Sequence, residues 1–196
     1  MNGAGRFGLA AAATAWVLLG GASAGASELT LIDDFSGPVS ALGTRWEGFT
    51  DRVMGGASIM ESSVERQGGE AVLRLRGRVS LKNNGGFIQV RLKLRPDGKA
   101  FDASGYAGLA LRVRGRGPGY YVHLRTTRTV FPWSFYGQEL PVSEEWSTVF
   151  LPFEAFRSEN MASSRLDPGR LVSVALVAAK REFDADLSVG SISWYR

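Results

Sequence analysis

The sequence predicts an all-β fold, an antiparallel β-sandwich, and two kinds of pattern support this prediction. Apolar and polar residues alternate with a period of two in one segment after another, as in strands with one buried and one solvated face. Clusters of glycine, asparagine and proline separate these segments and supply the backbone angles that turns need. Many short strands divided by turns at this spacing favour two packed sheets.

The alternating segments define the predicted strands. In the segment 71–81, leucine and valine fall on one side and arginine on the other. Turns are predicted at 83–86, 96–98 and 115–119, and one short helix is predicted over 154–159. The predicted strands are 29–32, 71–81, 87–95, 109–115, 120–126, 147–151, 171–178 and 187–194.

The N-terminal segment 1–26 has the pattern of a secretory signal peptide. Arg6 supplies a positive charge, residues 7–19 are almost entirely apolar, and small residues follow. Cleavage fits after Ala24 or after Ala26, and the second is preferred because the polar chain begins there. We therefore expect one mature domain over 27–196, soluble after signal removal and periplasmic or secreted.

Composition excludes several classes of function. The chain has no cysteine, which removes disulfides, thiol nucleophiles and thiolate metal sites. A formal net charge of +4 is only mildly basic, and no recognition motif accompanies it, so no nucleic-acid partner is predicted. No cofactor is predicted either.

Catalytic chemistry has little support in the sequence, and we predict that the protein is not an enzyme. His123, the one histidine, lies in a predicted strand without a nucleophile motif, and a structural or solvated role is more common there. Carboxylates for glycoside hydrolysis act as a pair, and only the fold decides which ones meet. The candidates are Glu47, Asp51, Glu139 and Glu144.

A metal site and a phosphate loop are also weakly indicated. Asp33 and Asp34 end the first predicted strand, where two carboxylates suit either calcium or a solvated strand end. The glycine-rich segment 115–119 opens no helix, so a hairpin turn is favoured over a phosphate-binding loop. No metal is predicted.

Two surface patterns leave alternatives open. Basic residues alternate in three strands, and they would form either a basic sheet face or a solvated face with interleaved acids. An aromatic cluster after Arg125 suits sugar stacking, burial in a partner, or the core of the fold. The basic residues are Arg74, Arg76, Arg78, Arg91, Lys93, Arg95, Arg112 and Arg114, and the cluster is Phe131, Trp133, Phe135 and Tyr136.

Three segments together resemble a known family. They are 46–58 (WEGFTDRVMGGAS), 81–91 (LKNNGGFIQVR) and 146–156 (WSTVFLPFEAF). Their order and spacing are similar to those of the complex I intermediate-associated protein family, over essentially the whole chain from residue 29. The motif positions and neighbouring candidates for binding are Trp46, Asp51, Arg52, Met54, Gly55, Gly56, Ser58, Asn83, Asn84, Gly85, Gly86, Phe87, Arg91, Arg125, Trp133, Phe135 and Tyr136.

The resemblance implies a galactose-binding-like, jelly-roll sandwich and a non-catalytic, chaperone-like role in assembling a membrane complex. The predicted partner is a protein, with a glycan as the alternative, because similar folds serve as carbohydrate-binding modules. The motif residues also have a structural interpretation, in which Asp51, Arg52 and Arg91 form a buried charge network joining the segments. Two features depart from the family. Relatives tend to keep a glycine before the last strand, where this chain has the segment 180–185 (KREFDA), and export would place the protein on the side of the membrane opposite the peripheral arm of complex I.

Overall fold

Twelve strands and short connecting turns make up the described part of this protein, residues 28–196 of a computed structural model. The predicted signal peptide, residues 1–26, lies outside the described residues. The strands are β1 Leu29–Asp33, β2 Trp46–Thr50, β3 Ile59–Gln67, β4 Glu70–Val79, β5 Phe87–Lys93, β6 Gly108–Arg116, β7 Tyr120–Thr126, β8 Phe135–Glu139, β9 Ser147–Pro152, β10 Arg157–Glu159, β11 Leu171–Ala179 and β12 Phe183–Tyr195.

The strands form two antiparallel sheets, which confirms the predicted sandwich. Sheet I has the order β3-β4-β12-β6-β9, and β1 pairs with the end of β12 beyond β4. Sheet II has the order β10-β8-β7-β11-β5-β2. Neighbours in the sheets are often distant in sequence, so long-range pairing holds the fold together.

The core lies between the sheets and is filled by the alternating apolar residues. Leu75, Leu111 and Leu176 from three different strands are at most 1% exposed. Trp194 closes one end of the core, where its ring stacks on Phe101 with 5.4 Å between centroids. Burying such side chains contributes roughly 1.5–3 kcal/mol each.

All eight predicted strands are present, with ends that differ by up to four residues. Strands β2, β3, β8 and β10 were not predicted. The predicted helix over 154–159 is wrong: a single 3-10 turn, Phe153–Ala155, leads into strand β10. The backbone becomes extended at Phe156, with φ −67° and ψ 131°, and residues 157–159 then pair with β8, so the helical conformation ends there. In residues 28–196, no helix has the length and apolar character needed to span a membrane.

Candidate functional site

Asp51 is the centre of a buried hydrogen-bond cluster at one end of the sandwich. It begins the 3-10 turn Asp51–Met54 and is 0% exposed. Its Oδ1 accepts from Ser58 N at 3.0 Å, and its Oδ2 accepts from Ser58 Oγ at 2.5 Å. Oδ2 also accepts from Gly86 N at 2.6 Å and from Phe87 N at 3.4 Å. We call Asp51, Ser58, Gly86 and Phe87 the Asp51 cluster.

The cluster holds a carboxylate in its charged form without a cation. Burial raises the pKa of Asp51, but the hydrogen bonds from Ser58, Gly86 and Phe87 outweigh it, so the pKa lies below its ordinary value. Ser58 also ties in the next strand connection, because its Oγ accepts from Ser80 N at 3.0 Å. A single buried anion thus joins the two motif segments 46–58 and 81–91.

Two motif glycines are required by the size of this cluster. A Cβ atom on Gly56 would lie 2.3 Å from Asp51 Cγ, and one on Gly85 would lie 2.4 Å from Asp51 Oδ2. Gly55 ends the 3-10 turn with a φ of +87°, which other residues adopt at a cost. Asn83 adds a further link, since its Nδ2 donates to Gly55 O at 3.2 Å.

The predicted charge network of Asp51, Arg52 and Arg91 is therefore wrong, because neither arginine is among the hydrogen-bond partners of Asp51 in residues 28–196. Amide and hydroxyl donors satisfy Asp51, while the Arg52 side chain is exposed. Arg91 instead lies on the outer face of sheet II, where its Nη2 is 3.2 Å from Glu47 Oε2. Donors from the backbone succeed because the two loops wrap the carboxylate too closely for a long side chain to enter.

The cluster presents large apolar side chains to solvent. Val53 and Met54 on the 3-10 turn are 71% and 56% exposed. Ile59 directly follows Ser58 and is 58% exposed, and Leu81 directly follows Ser80 and is 48% exposed. Val53 and Met54 lie on the turn that begins at Asp51, and Ile59 and Leu81 follow the hydrogen-bonded Ser58 and Ser80, so we call these four residues the apolar tip.

A second candidate surface is the outer face of sheet II. Its central strand β11 carries small residues there, with Ala175 opposite both His123 of β7 and Arg91 of β5. One step along, Ser173 lies opposite both Arg125 and Lys93. Phe87, a motif residue, packs at the other end of this strip, where it lies opposite Ala179.

His123 on this face is neutral and packed rather than poised for catalysis. Its ring stacks on Phe135 with 3.7 Å between centroids. Burial and the charge of Lys180 lower the pKa of His123 to about 3, so the imidazole stays uncharged near neutral pH. Its Nε2 is buried and has no hydrogen-bond partner in residues 28–196.

Two arginines, Arg91 and Arg125, lie on the same face, on the strands on either side of β11. Burial, together with the positive charge of Arg91, lowers the pKa of Arg125. Arg125 donates to Phe131 O at 3.0 Å and forms no salt bridge with any carboxylate of the described chain. Arg91 stacks over Phe49 at 4.5 Å, and its buried Nε lacks a partner within residues 28–196.

The aromatic cluster of the sequence analysis is divided by the structure. Phe131 and Trp133 lie on the β7–β8 loop, are each 54% exposed, and stack nearly parallel with 5.3 Å between centroids. Phe135 is half-buried against His123. Tyr136 is a core residue, 1% exposed, and its hydroxyl donates to Ser163 O.

The basic residues do not share one face. Arg91 and Lys93 belong to sheet II and Arg95 to the following turn. The others lie on sheet I, where all but one have acidic partners and Arg114 donates to Gln67 Oε1 at 2.7 Å. Arg74 forms a bidentate salt bridge with Asp186, in which Nε donates to Oδ1 at 2.9 Å and Nη2 donates to Oδ2 at 2.8 Å. Further pairs on sheet I join Arg76 to Asp186, Arg78 to Asp184, Arg112 to Glu70 and Arg116 to Glu144. The interleaved alternative therefore holds for sheet I.

The four carboxylates considered for glycoside hydrolysis do not form a pair. Asp51 is enclosed in its cluster, and Glu144 is bound to Arg116. Glu47 on β2 and Glu139 on β8 are separated by three intervening strands, about 19 Å at the usual strand spacing. Glycosidases need roughly 5–9.5 Å between the two carboxyl groups.

The carboxylates at the end of β1 are used locally. Asp33 Oδ2 accepts from Trp46 Nε1 at 2.9 Å, and its Oδ1 accepts from Phe35 N. Asp34 accepts from Ser36. Within residues 28–196, no group of three or more acidic or histidine side chains is arranged to hold a metal ion. Trp46, a motif residue, thus anchors β2 to β1.

Fold and loops together define a galactose-binding-like β-sandwich. The chain belongs to the Complex I intermediate-associated protein 30 (CIA30) family, whose model matches residues 19–189. The match confirms the family recognised from the motif segments. A search of curated proteins finds no match.

Solved structures with the same fold include carbohydrate-binding modules. One is the family 11 module of the cellulosomal cellulase Lic26A-Cel5E of Clostridium thermocellum, with a TM-score of 0.68 at 16% identity, covering 86% of this chain and 95% of that one. The family 11 module in complex with a β-1,3-1,4-mixed-linked tetrasaccharide has a TM-score of 0.65 at 15% identity, covering 85% and 94%. An agarase, AgWH50C, matches with a TM-score of 0.56 at 9% identity, but the overlap covers only 24% of that chain and 85% of this one.

The sequence analysis missed Val53, Ile59 and Leu81 of the apolar tip. An apolar residue in an alternating pattern is expected to face the core, and Ile59 begins a strand that was not predicted. The signal that was available is the dense motif around Val53 itself, which marks a loop built for a specific shape.

Proposed function

We propose that this protein is an exported, non-catalytic binding module that engages a protein partner through the apolar tip, in the manner of a factor assisting assembly of a membrane complex. The observation that carries the proposal is the support of exposed apolar side chains by the buried Asp51 cluster. Membership of the CIA30 family supports an assembly role. Export follows from the signal-like segment 1–26 and is part of the proposal.

The free-energy cost of exposing apolar side chains to water supports this proposal. Exposing Val53 and Met54 to water is unfavourable, and grouped exposed apolar side chains typically mark interaction sites. Protein interfaces place such side chains at their centre, where a partner removes them from water. The rigid turn beneath them reduces the entropy lost on binding, since Asp51 and Gly55 already hold its shape.

The experiment is a cross-linked pull-down of the full chain from its native envelope fraction, read by mass spectrometry. The test variant is Val53→Ser with Met54→Ser. The matched control is Val39→Ser with Val64→Ser, which changes two valines that are 40% and 55% exposed outside the tip. We expect a reproducible membrane-complex partner that the tip variant loses and the control keeps. A partner recovered equally with both variants, or no partner above background, would contradict the proposal.

Glycan binding is a second candidate, favoured by a different observation. Phe131 and Trp133 form a stacked, exposed pair, and flat aromatic faces are common in carbohydrate-binding sites. The carbohydrate-binding modules that share the fold support this candidate. Trp133→Ala should abolish binding to a glycan, whereas the tip variant should leave it unchanged. Retention of glycan binding by Trp133→Ala would exclude the aromatic pair as its site.

A further inference from the structure

Arg125 stands out on the outer face of sheet II because it has a charge without a counter-charge. Its guanidinium donates to the main-chain oxygens of Phe131 and Thr129, and no carboxylate of the described chain forms a salt bridge with it. Arg91 on β5 and Arg125 on β7 flank β11, where they lie opposite Ala175 and Ser173, two residues apart along that strand. Two adjacent guanidinium groups repel each other, and an anion between them would relieve the repulsion.

Arg91 also has unused hydrogen-bonding capacity. One of its terminal nitrogens contacts Glu47, which is itself about half exposed, while its buried Nε donates to no group within residues 28–196. Across the small Ala175, the buried Nε2 of His123 is likewise without a partner in the described chain. A buried polar atom without a hydrogen bond costs free energy, so this face carries polar groups that the described chain leaves unsatisfied.

The charge of the whole face favours an anion. Basic residues outnumber acidic ones, and His123 contributes no charge near neutral pH because burial and Lys180 lower its pKa to about 3. Two of these basic residues are paired with acids of the same face, Arg91 with Glu47 and Lys180 with Glu159. The residues are Arg91, Lys93, Arg125, Arg157 and Lys180 against Glu47, Glu139 and Glu159.

The position of Arg125 connects this anion site to the exposed aromatic pair. Arg125 Nη2 holds the carbonyl of Phe131 at 3.0 Å, and the Phe131 ring stacks on Trp133. A sugar ring offers C–H groups to an aromatic face, while a uronic acid sugar also carries a carboxylate that a guanidinium can bind. A site with an aromatic platform beside paired guanidinium groups fits an acidic sugar chain better than a neutral one.

We propose that this face binds an acidic, carboxylate-bearing glycan, with one carboxylate held between Arg91 and Arg125 and a neighbouring sugar stacked on the Phe131–Trp133 pair. The proposal rests on the second candidate function, glycan binding, and names its ligand class. It is independent of the apolar tip. Arg91 and Arg125 supply positive charge, and Trp133 supplies the stacking surface.

The test compares acidic glycans with uncharged forms of the same chains. The probes are oligosaccharides of galacturonate, of mannuronate and of hyaluronan, each with its carboxyl methyl ester, titrated calorimetrically into the full chain at low and high salt. We expect at least one acid to bind about tenfold or more tightly than its ester, with the difference reduced by salt. An acidic peptide is the third arm of the comparison.

Variants assign the binding to named residues. Arg91→Met should remove the preference for the acid, whereas the matched control Arg78→Met, 66% exposed on sheet I, should keep it. Trp133→Ala should abolish the binding of acid and ester alike. Thermal melts of each variant confirm folding, and a preference that survives in folded Arg91→Met would overturn the proposed site.

The possible outcomes distinguish a failure of the acidic specificity from a failure of glycan binding itself. Equal binding of acid and ester overturns the acidic specificity and leaves glycan binding standing. Binding of none of the glycans overturns both. Preference for the acidic peptide over every acidic glycan assigns the face to a protein ligand and overturns the proposal.

Discussion

The Asp51 cluster and the ion pairs of sheet I both connect distant parts of the chain through charge, but they do so in opposite ways. Asp51 is fully buried and satisfied by backbone amides and a serine hydroxyl without any cation. Arg74 and Asp186 on sheet I are paired charges whose side chains remain 20% and 37% exposed. Solvent weakens the pair, whereas nothing but the loops themselves can replace the donors to Asp51.

The difference shows where polar groups determine structure. The ion pairs of sheet I lie on strands whose register is already set by packing in the core, so we expect the fold to survive when an ion pair is removed. The Asp51 cluster shapes two loops that have little apolar packing of their own, with Val53 and Met54 exposed. Loop shape therefore depends on the cluster, and four substitutions or conditions test this contrast in descending size of effect.

Asp51→Ala should have the largest effect. It leaves the donors of Ser58, Gly86 and Phe87 buried without acceptors, which we expect to lower the free energy of unfolding by about 3 kcal/mol or more. Urea denaturation followed by tryptophan fluorescence measures the loss. Asp102→Ala, which removes an exposed carboxylate bonded only to Ser104, is the control. Equal stabilities of the two variants would contradict the role given to the cluster.

Gly85→Ala should have the next largest effect. The added Cβ would lie 2.4 Å from Asp51 Oδ2 and 3.0 Å from Lys82 O, so the carboxylate or the loop must move, at about 2 kcal/mol. Gly105→Ala is the matched control, because no atom lies within 4 Å of its Cβ position. The same denaturation measurement compares them. If Gly85→Ala were as stable as Gly105→Ala, the loop would accommodate the added Cβ without cost, and the tight packing inferred around Asp51 would be contradicted.

Acid should weaken the cluster in a defined direction. Because hydrogen bonds lower the pKa of Asp51 despite its burial, its stabilising contribution is complete above the unfolded-state pKa of about 3.9 and is lost as pH falls through the folded-state pKa. Stability measured from pH 6 downward should fall less steeply in Asp51→Asn than in the original chain. Parallel curves would contradict the assignment.

Breaking a sheet I pair should have the smallest effect. Hydrogen bonds from Arg74 lower the pKa of Asp186, yet both groups are partly exposed. Arg74→Met should therefore cost about 1 kcal/mol or less, and 0.5 M NaCl should shrink the difference. The same salt should leave the cost of Asp51→Ala unchanged. A salt-insensitive loss in Arg74→Met would erase the contrast between the two regions.

Much of the fold was predictable because burial and alternation coincide in the central strands. β7, which is buried on one side by Val122 and Leu124, was predicted with its correct ends. β3 was missed because it is an edge strand with Ile59 and Val64 exposed, so its pattern does not alternate cleanly. The helix predicted over 154–159 failed because the backbone becomes extended at Phe156 and residues 157–159 pair with β8, a long-range contact that local sequence does not show.

The candidate site was only partly predictable. The motif segments identified Asp51, Gly56 and Gly85, since a dense run of small and charged residues indicates a constrained loop. Their mutual contact was not predictable, because it joins segments whose approach depends on sheet pairing. The division of the basic residues between two sheets has the same cause: alternation assigns a residue to a face, but strand order assigns that face to a sheet.

The tight fit around Asp51 has a consequence for how such proteins diverge. Neither Gly56 nor Gly85 can gain a side chain while the aspartate stays, and the aspartate cannot leave while its donors stay buried. We therefore expect the two segments to change together or not at all. Val53 and Met54 are exposed, so they can be substituted without changing the packing of the two loops. We expect relatives that bind different partners to differ at these two positions.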